Sequence, residues 1–334
     1  MPRKRPKGVL AMGWACIEAA ATGRTEHAPT SADYPETVVR RTSFIAGGGH
    51  RWRISALETP RETPQPWKIV VITGAPSWAE YWAETLSELP QDREMIVVDR
   101  PGYAGSEPLH PVTDIRVQAE ALAPVLNAAR GQKVLLVGQS YGAAIASIMA
   151  DQNPGKVAGL VLLSGFFGEA GPTAKWLLDM GAKALKVIPR DLRNAVIEVT
   201  GQRPQLRHAK RALARVNVPI HMIHGDKDDF APLEVAERLA AETVTRRPIR
   251  IVKTEGANHF LNDGPAEQLI QALESCIPEK TAWTFRWPKL PALWPARLPR
   301  PEGVVAQVRA AGAKAGQAAG AAVGGVAPGR SAAA

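Results

Sequence analysis

Cysteine is scarce: the 334 residues hold two. Cys16 and Cys276 stand far apart and form neither a disulfide framework nor the paired spacing of a zinc site, so they read as free thiols in a reducing compartment. Long apolar runs are also missing. None reaches the ~18 residues that a bilayer-spanning helix needs. Acidic residues fall short of basic ones, with Asp+Glu 32 against Lys+Arg 41 and a net charge of +9. Such an excess suggests a nucleic-acid partner, but it sits at the ends. Residues 1–8 carry roughly +4 and residues 280–334 roughly +7, so the intervening body is near neutral or slightly negative. A nucleic-acid surface needs its basic charge on the folded body, and no nucleic-acid partner is expected. The 45% hydrophobic content suits a globular protein with a core. The length allows one large domain or two small ones.

The two ends are unlike the middle. Residues 1–37 read as a basic N-terminal arm. Pro2 to Lys7 is basic, Val9 to Ile17 is weakly apolar, and Ala19-Ala20-Ala21 follows, which is the outline of a signal peptide. Glu18 directly precedes that site, and Gly13, Trp14 and Cys16 dilute the apolar run. A cytoplasmic location is therefore the stronger expectation and export the weaker. Residues 278–334 form a tail. Trp283, Phe285, Trp287 and Trp294 alternate with Arg286, Lys289, Arg297 and Arg300, while Pro288, Pro291, Pro295, Pro299 and Pro301 rule out a long helix. An Ala/Gly-rich stretch follows and is expected to be largely disordered. The Trp/Pro segment has four readings: wrapping the body, peripheral contact with a membrane, binding a protein partner, or disorder. The sequence leaves the oligomeric state open.

Between the ends, residues 38–277 alternate strand and helix patterns, as a doubly wound, mostly parallel α/β sheet requires. Val38 to Ile45 and Arg51 to Leu57 flank Gly47-Gly48-Gly49 as an opening hairpin. Further strands are expected at Lys68 to Ile72, Met95 to Val98, Val134 to Val137, Lys156 to Leu163, Val218 to Ile223 and Ile249 to Lys253. Helices are expected after Ser77, over Asp114 to Ala129, and from about Gly264. The alternation pauses at about 165–216, where two or three helices are expected, including Trp176 to Ile188 and Arg207 to Val216. Arg203, Arg207, Lys210, Arg211 and Arg215 make a basic face there. It reads first as solvated and second as attracting an anionic substrate or membrane.

The most telling stretch is Val134-Leu135-Leu136-Val137-Gly138-Gln139-Ser140-Tyr141-Gly142-Ala143-Ala144. A buried-strand run ends in Gly-x-Ser-x-Gly and passes into a small-residue helix, the pattern of a nucleophile elbow. Such a turn forces Ser140 into a strained conformation with its hydroxyl clear of the sheet. Gly138 and Gly142 leave room for close backbones. A serine hydroxyl is a weak nucleophile and needs a base, which in turn needs an orienting acid. Candidates follow later strands: His224-Gly225-Asp226-Lys227-Asp228-Asp229 with Pro232, then Gly256-Ala257-Asn258-His259-Phe260. On the residues alone Asp226, Asp228 and Asp229 all remain open as the acid. His221, His224 and Asp226 have ligand side chains, but strand alternation gives them no converging geometry, and no metal is expected.

These motifs, in this order, resemble the α/β-hydrolase superfamily over about Val38 to Ile277. The resemblance implies Ser140 as nucleophile, His259 as base, and Asp228 as acid through Gly-x-x-Asp-x-x-x-Pro. It implies an oxyanion hole from the amides of Tyr141 and Ala75. Ala75 lies in Thr73-Gly74-Ala75-Pro76, a variant of the family's His-Gly-x-Pro loop with threonine in place of histidine. Asp99 of Asp99-Arg100-Pro101-Gly102 is then a structural turn. The segment at about 165–216 becomes a short helical lid. Trp78, Phe166, Trp176, Met180 and Phe260 are candidate substrate contacts, with packing of the lid or core as the alternative for the bulky ones. The implied activity is hydrolysis of an ester, thioester or related acyl bond in a small-molecule acyl substrate, without cofactor. The same residues would serve acyl transfer, C–C cleavage or cofactor-free perhydrolysis, and a non-catalytic binding protein on this fold is a further alternative.

Overall fold

A computed structural model describes residues 30–261 and 265–277. The expectations for residues 1–29 and for the tail beyond residue 277, with Cys16 and the Trp/Pro segment, lie outside that range. The end of the expected arm is docked on the body. Thr30 caps a 3-10 turn over Ser31–Asp33, and Ser31 N–H and Oγ both donate to the Glu80 carboxylate.

Among the described residues, eight strands form one sheet: β1 (Arg40–Ile45), β2 (Arg53–Glu58), β3 (Trp67–Ile72), β4 (Arg93–Val98), β5 (Lys133–Gln139), β6 (Val157–Leu163), β7 (Ile220–Gly225) and β8 (Ile249–Thr254). Their order is β1-β2-β4-β3-β5-β6-β7-β8. β2 pairs antiparallel with β1 and β4, and the remaining pairs are parallel. The helices are α1 (Ala83–Ser87), α2 (Ile115–Leu122), α3 (Gly142–Gln152), α4 (Pro172–Lys183), α5 (Arg190–Gly201), α6 (Leu206–Arg215), α7 (Leu233–Glu242) and α8 (Ala266–Glu274). Among the described residues, no helix is long and apolar enough to cross a membrane.

Central strands covered on both faces must be apolar at every position. β5 does this: Val134 and Leu136 join the core under α2, α3, α6 and α7, while Leu135 and Val137 join the core under α1 and α8. The period-2 pleat thus distributes one strand between two cores. The result is the expected doubly wound sheet.

Boundaries shift where local chemistry differs from the broad pattern. The helix expected over Asp114 to Ala129 is capped by Asp114, whose side chain accepts from Arg116 N–H. It ends at Leu122 and tightens to 3-10 over Ala123–Leu126, because Pro124 cannot donate to an α-helical ladder. The helix placed at Trp176 to Ile188 starts and stops earlier, as α4. The 165–216 segment also divides. α4 and α5 form the insertion between β6 and β7. α6 packs on the sheet, with Ala209, Ala212, Leu213 and Val216 in the same core as α3. The basic residues of α6 face outward, where Lys210 pairs with Glu242 at 2.6 Å and Arg215 pairs with Asp151.

Strand order reverses between β3 and β5, since β4 lies on the far side of β3. In a sheet of this kind, the crevice at the carboxyl ends of the strands beside that reversal is where ligands bind. Ser140 and the Thr73–Pro76 loop stand on its two sides.

Candidate active site

Ser140 follows the last residue of β5 and has φ 51, a left-handed conformation that non-glycine residues rarely adopt. Neighbouring backbones hold it there. Its N–H donates to Leu163 O at 2.9 Å, and its carbonyl accepts from Ala143 and Phe166 N–H, each at 3.0 Å. The elbow glycines are needed sterically. A Cβ on Gly138 would lie 2.7 Å from Ala143 Cα, and one on Gly142 would lie 2.6 Å from Thr73 O.

Ser140 Oγ lies 3.0 Å from His259 Nε2, and His259 Nδ1 lies 2.8 Å from Asp228 Oδ2. Ser140, His259 and Asp228 thus form one hydrogen-bonded chain. Asp226 is exposed and Asp229 is engaged with Thr173, so neither joins it. Asp228 is buried, and its other oxygen accepts from Phe230 and Ala231 N–H at 3.0 and 2.8 Å. Burial pushes this carboxyl up. Hydrogen bonds from His224, His259 and Ala231 outweigh that effect and hold it well below the usual carboxylate range.

His224, which belongs to none of the sequence motifs, also stands at this site. It is fully buried, with Nε2 2.6 Å from Ala231 O and 3.2 Å from Asp228 Oδ2. A carbonyl can only accept, so Nε2 carries the proton and leans on the acid. The local signal was weak, because a histidine ending a strand has no spacing relation to an aspartate in the following turn. His221 is half-buried on β7. Among the described residues, no group of three metal-ligating side chains gathers.

The loop after β3 passes directly against the serine: a Cβ on Gly74 would lie 3.0 Å from Ser140 Cβ. The N–H groups of Ala75 and Tyr141 have no acceptor among the described residues, the state required of donors kept for a substrate oxygen. Thr73, in place of the family's histidine, donates its hydroxyl to Val98 O at 3.0 Å and ties the loop to β4. Asp99 is buried and accepts from Ala79 N–H at 2.7 Å and from Arg41, as a structural turn does.

The candidate substrate contacts fall into two groups. Phe260 stands edge-on to His259 at 5.2 Å, and Phe230, not anticipated, stacks on the imidazole at 5.4 Å and 16°. Phe166 is buried behind the elbow, linked to Ser140 by its own N–H. Trp78 is buried and donates Nε1–H to Asp191 Oδ2 of α5 at 2.6 Å, so it packs the insertion onto the core. Trp176 and Met180 are 43% and 48% exposed on α4. No contact places either of them beside Ser140.

A sequence model described as alpha/beta hydrolase fold matches residues 68–210. No curated protein matches the chain. Solved structures do. A membrane phospholipase A, titled a bacterial virulence factor, superposes with a TM-score of 0.54 at 19% identity, covering 80% of this chain and 96% of its own. A thermophilic esterase from Thermogutta terrifontis gives 0.55 at 17%, covering 70% and 97%. A haloalkane dehalogenase from Agrobacterium tumefaciens C58 gives 0.52 at 17%, covering 70% and 95%. At these identities the likeness is one of fold, and the chemistries of the relatives differ. The chain has the α/β-hydrolase fold.

Proposed function

We propose that this protein is a serine hydrolase that cleaves an ester, thioester or related acyl bond. The observation that carries the reading is the continuous chain from Ser140 Oγ through His259 to Asp228, with the serine held at φ 51. Ser140 Oγ attacks the carbonyl carbon as His259 Nε2 takes its proton. Asp228 orients the ring and offsets the charge it gains. The tetrahedral oxyanion sits against the N–H groups of Ala75 and Tyr141. His259 then gives the proton to the leaving group, which departs and leaves an acyl-serine. Water, deprotonated by His259, repeats the sequence and releases the acid.

The aromatic wall of Phe230 and Phe260 beside the imidazole favours a substrate with an apolar portion near the scissile bond. α4 and α5 act as a short lid over this crevice. The test is a panel of p-nitrophenyl esters and acyl thioesters of graded chain length, with fluorophosphonate labelling alongside. Turnover and labelling by the native protein, both lost in Ser140→Ala, support the reading. Hydrolysis that survives in Ser140→Ala overturns it.

A further inference from the structure

Beneath the proposed oxyanion hole lies a fully buried arginine that the reaction as described does not use. Arg100 follows β4 by two residues and has no solvent exposure. Its Nε donates to Thr73 O at 2.9 Å and Gly74 O at 3.1 Å, and Nη2 donates to Gly74 O at 2.8 Å. Nη1 donates to Gln118 Oε1 at 2.6 Å and to Glu198 Oε2 at 2.9 Å. The guanidinium carbon lies 4.4 Å from the ring centre of Tyr103 and 4.7 Å from that of Tyr141. Glu198 belongs to α5 and also accepts from Tyr103 Oη–H at 2.9 Å and from Val112 N–H at 3.2 Å.

Stability alone is a weak reason for this arrangement. Burying an ion pair costs so much desolvation that well-packed apolar residues commonly do as well. What the charge achieves is local. Gly74 C=O and Ala75 N–H belong to one planar peptide unit. A fork gripping the oxygen from beneath sets the direction of the N–H on the opposite edge, and Gly74 is the residue lying against Ser140. A cation on the oxygen also polarises the amide and makes its N–H a stronger donor. The same guanidinium lies against the ring of Tyr141, the residue that supplies the other donor. Burial works against the charge on Arg100, but Glu198 outweighs it and holds the guanidinium's pKa above its ordinary value.

We infer that Arg100 is a positioning residue of the oxyanion hole. It fixes the Ala75 N–H toward Ser140 through the Gly74 carbonyl, and Glu198 wires that grip to the inserted helix α5. The inference rests on the acyl-transfer reading of Ser140 given above. It makes the inserted helices part of transition-state stabilisation as well as of access.

The test compares wild type, Arg100→Lys, the double variant Arg100→Met/Glu198→Met and Ser140→Ala. Each is assayed for p-nitrophenyl butyrate turnover, inhibition by phenylboronic acid and thermal unfolding. The double variant removes both charges and so avoids stranding a buried carboxylate. Loss of one direct oxyanion donor costs about 10²–10³ in kcat, so a misdirected donor should cost about 10–100-fold. The expected result is a folded double variant with KM within about threefold of wild type. Its kcat falls about 10–100-fold with a matching loss of boronate affinity, and Arg100→Lys lies between. A purely structural role would move the unfolding temperature without that matched loss. A folded double variant with wild-type kcat, or reduced kcat with unchanged boronate affinity, overturns the inference. If the double variant does not fold, Arg100→Lys decides by the same two readouts, and wild-type values there overturn it. Turnover retained by Ser140→Ala sinks the parent reading and this one together. An inactive Ser140→Ala beside an unaffected Arg100 variant sinks this one alone.

Discussion

At the scale of single residues, the chemistry rests on few contacts. Ser140→Ala and His259→Ala should each lower kcat at least ~10⁴-fold while the unfolding temperature stays near wild type, since members of such a unit fail together. Asp228→Asn should leave only a small residue of activity, whereas Asp226→Asn should leave turnover intact; the reverse pattern would reassign the acid. Asp228 also predicts a pH signature. Its folded pKa lies below the unfolded value of about 3.9. Its stabilisation is therefore complete above that value and is lost as pH falls toward the folded one. The gap in unfolding temperature between wild type and Asp228→Asn should be widest near neutral pH and narrow below about pH 4. A gap that widens in acid would contradict the hydrogen-bond account. His224 belongs to the same cluster. A hydrogen bond to a charged group is worth about 1.5–3 kcal/mol, so His224→Leu should cost roughly tenfold or more in kcat. His224→Gln, which keeps a donor near Nε2, should recover part of it. Ser140, Asp228 and His259 could be picked from the sequence because each sits at a fixed offset from glycine or proline. Arg100 and Glu198 could not, since their partners are set by packing of segments far apart in the chain; nor could His224, whose partners Asp228 and Ala231 are brought to it by the path of an irregular turn.

At the scale of elements, strands were more legible than helices. β3, β5 and β6 are largely apolar runs buried on both faces, and that pattern survives small errors at the ends. β8 is only partly buried, in keeping with its place at the sheet edge. α2 stops earlier than its apolar spacing suggests because Pro124 intervenes, and α6 turns Ala209, Ala212 and Leu213 into the core and its basic residues outward. The elbow joins two elements so tightly that Gly142→Ala would press a methyl group onto Ile72 O and place it 2.6 Å from Thr73 O. Overpacking of that kind costs about 1–3 kcal/mol, and here the strand end must move with the oxyanion loop. Thermal unfolding and kcat should therefore fall together in Gly142→Ala. α4 offers the opposite case. Trp176 and Met180 are about half exposed, and truncating surface side chains changes stability by about 0.5 kcal/mol or less. If α4 closes over the crevice during turnover, Trp176→Ala and Met180→Ala should shift the preferred acyl length with little change in unfolding temperature. A large stability loss with an unchanged substrate profile would assign both residues to packing within the insertion.

At the scale of the whole molecule, charge is divided unevenly along the chain. The body is close to neutral, and the net +9 comes from residues 1–8 and 280–334. A segment mixing tryptophan with arginine and lysine, as residues 281–301 do, suits the boundary of an anionic bilayer. The indole prefers the interface, and each basic residue near the surface adds about 1 kcal/mol of attraction. One such signal binds weakly; two on one chain give usable affinity. The basic, weakly apolar stretch at residues 1–21 would be the second. Contact of this kind would bring a serine hydrolase to acyl chains presented in a membrane, a substrate with the apolar portion that Phe230 and Phe260 favour. Sedimentation with phosphatidylserine-containing vesicles tests it. Full-length protein should pellet with the vesicles, and the bound fraction should fall as salt rises, because screening weakens surface attraction within a Debye length of about 10 Å at 0.1 M. Deleting residues 280–334 should lower binding further while leaving turnover of a soluble ester unchanged. Equal binding by the truncated protein, or none by the full-length one, would end the proposal and leave the Trp/Pro segment to wrap the body or meet a protein partner.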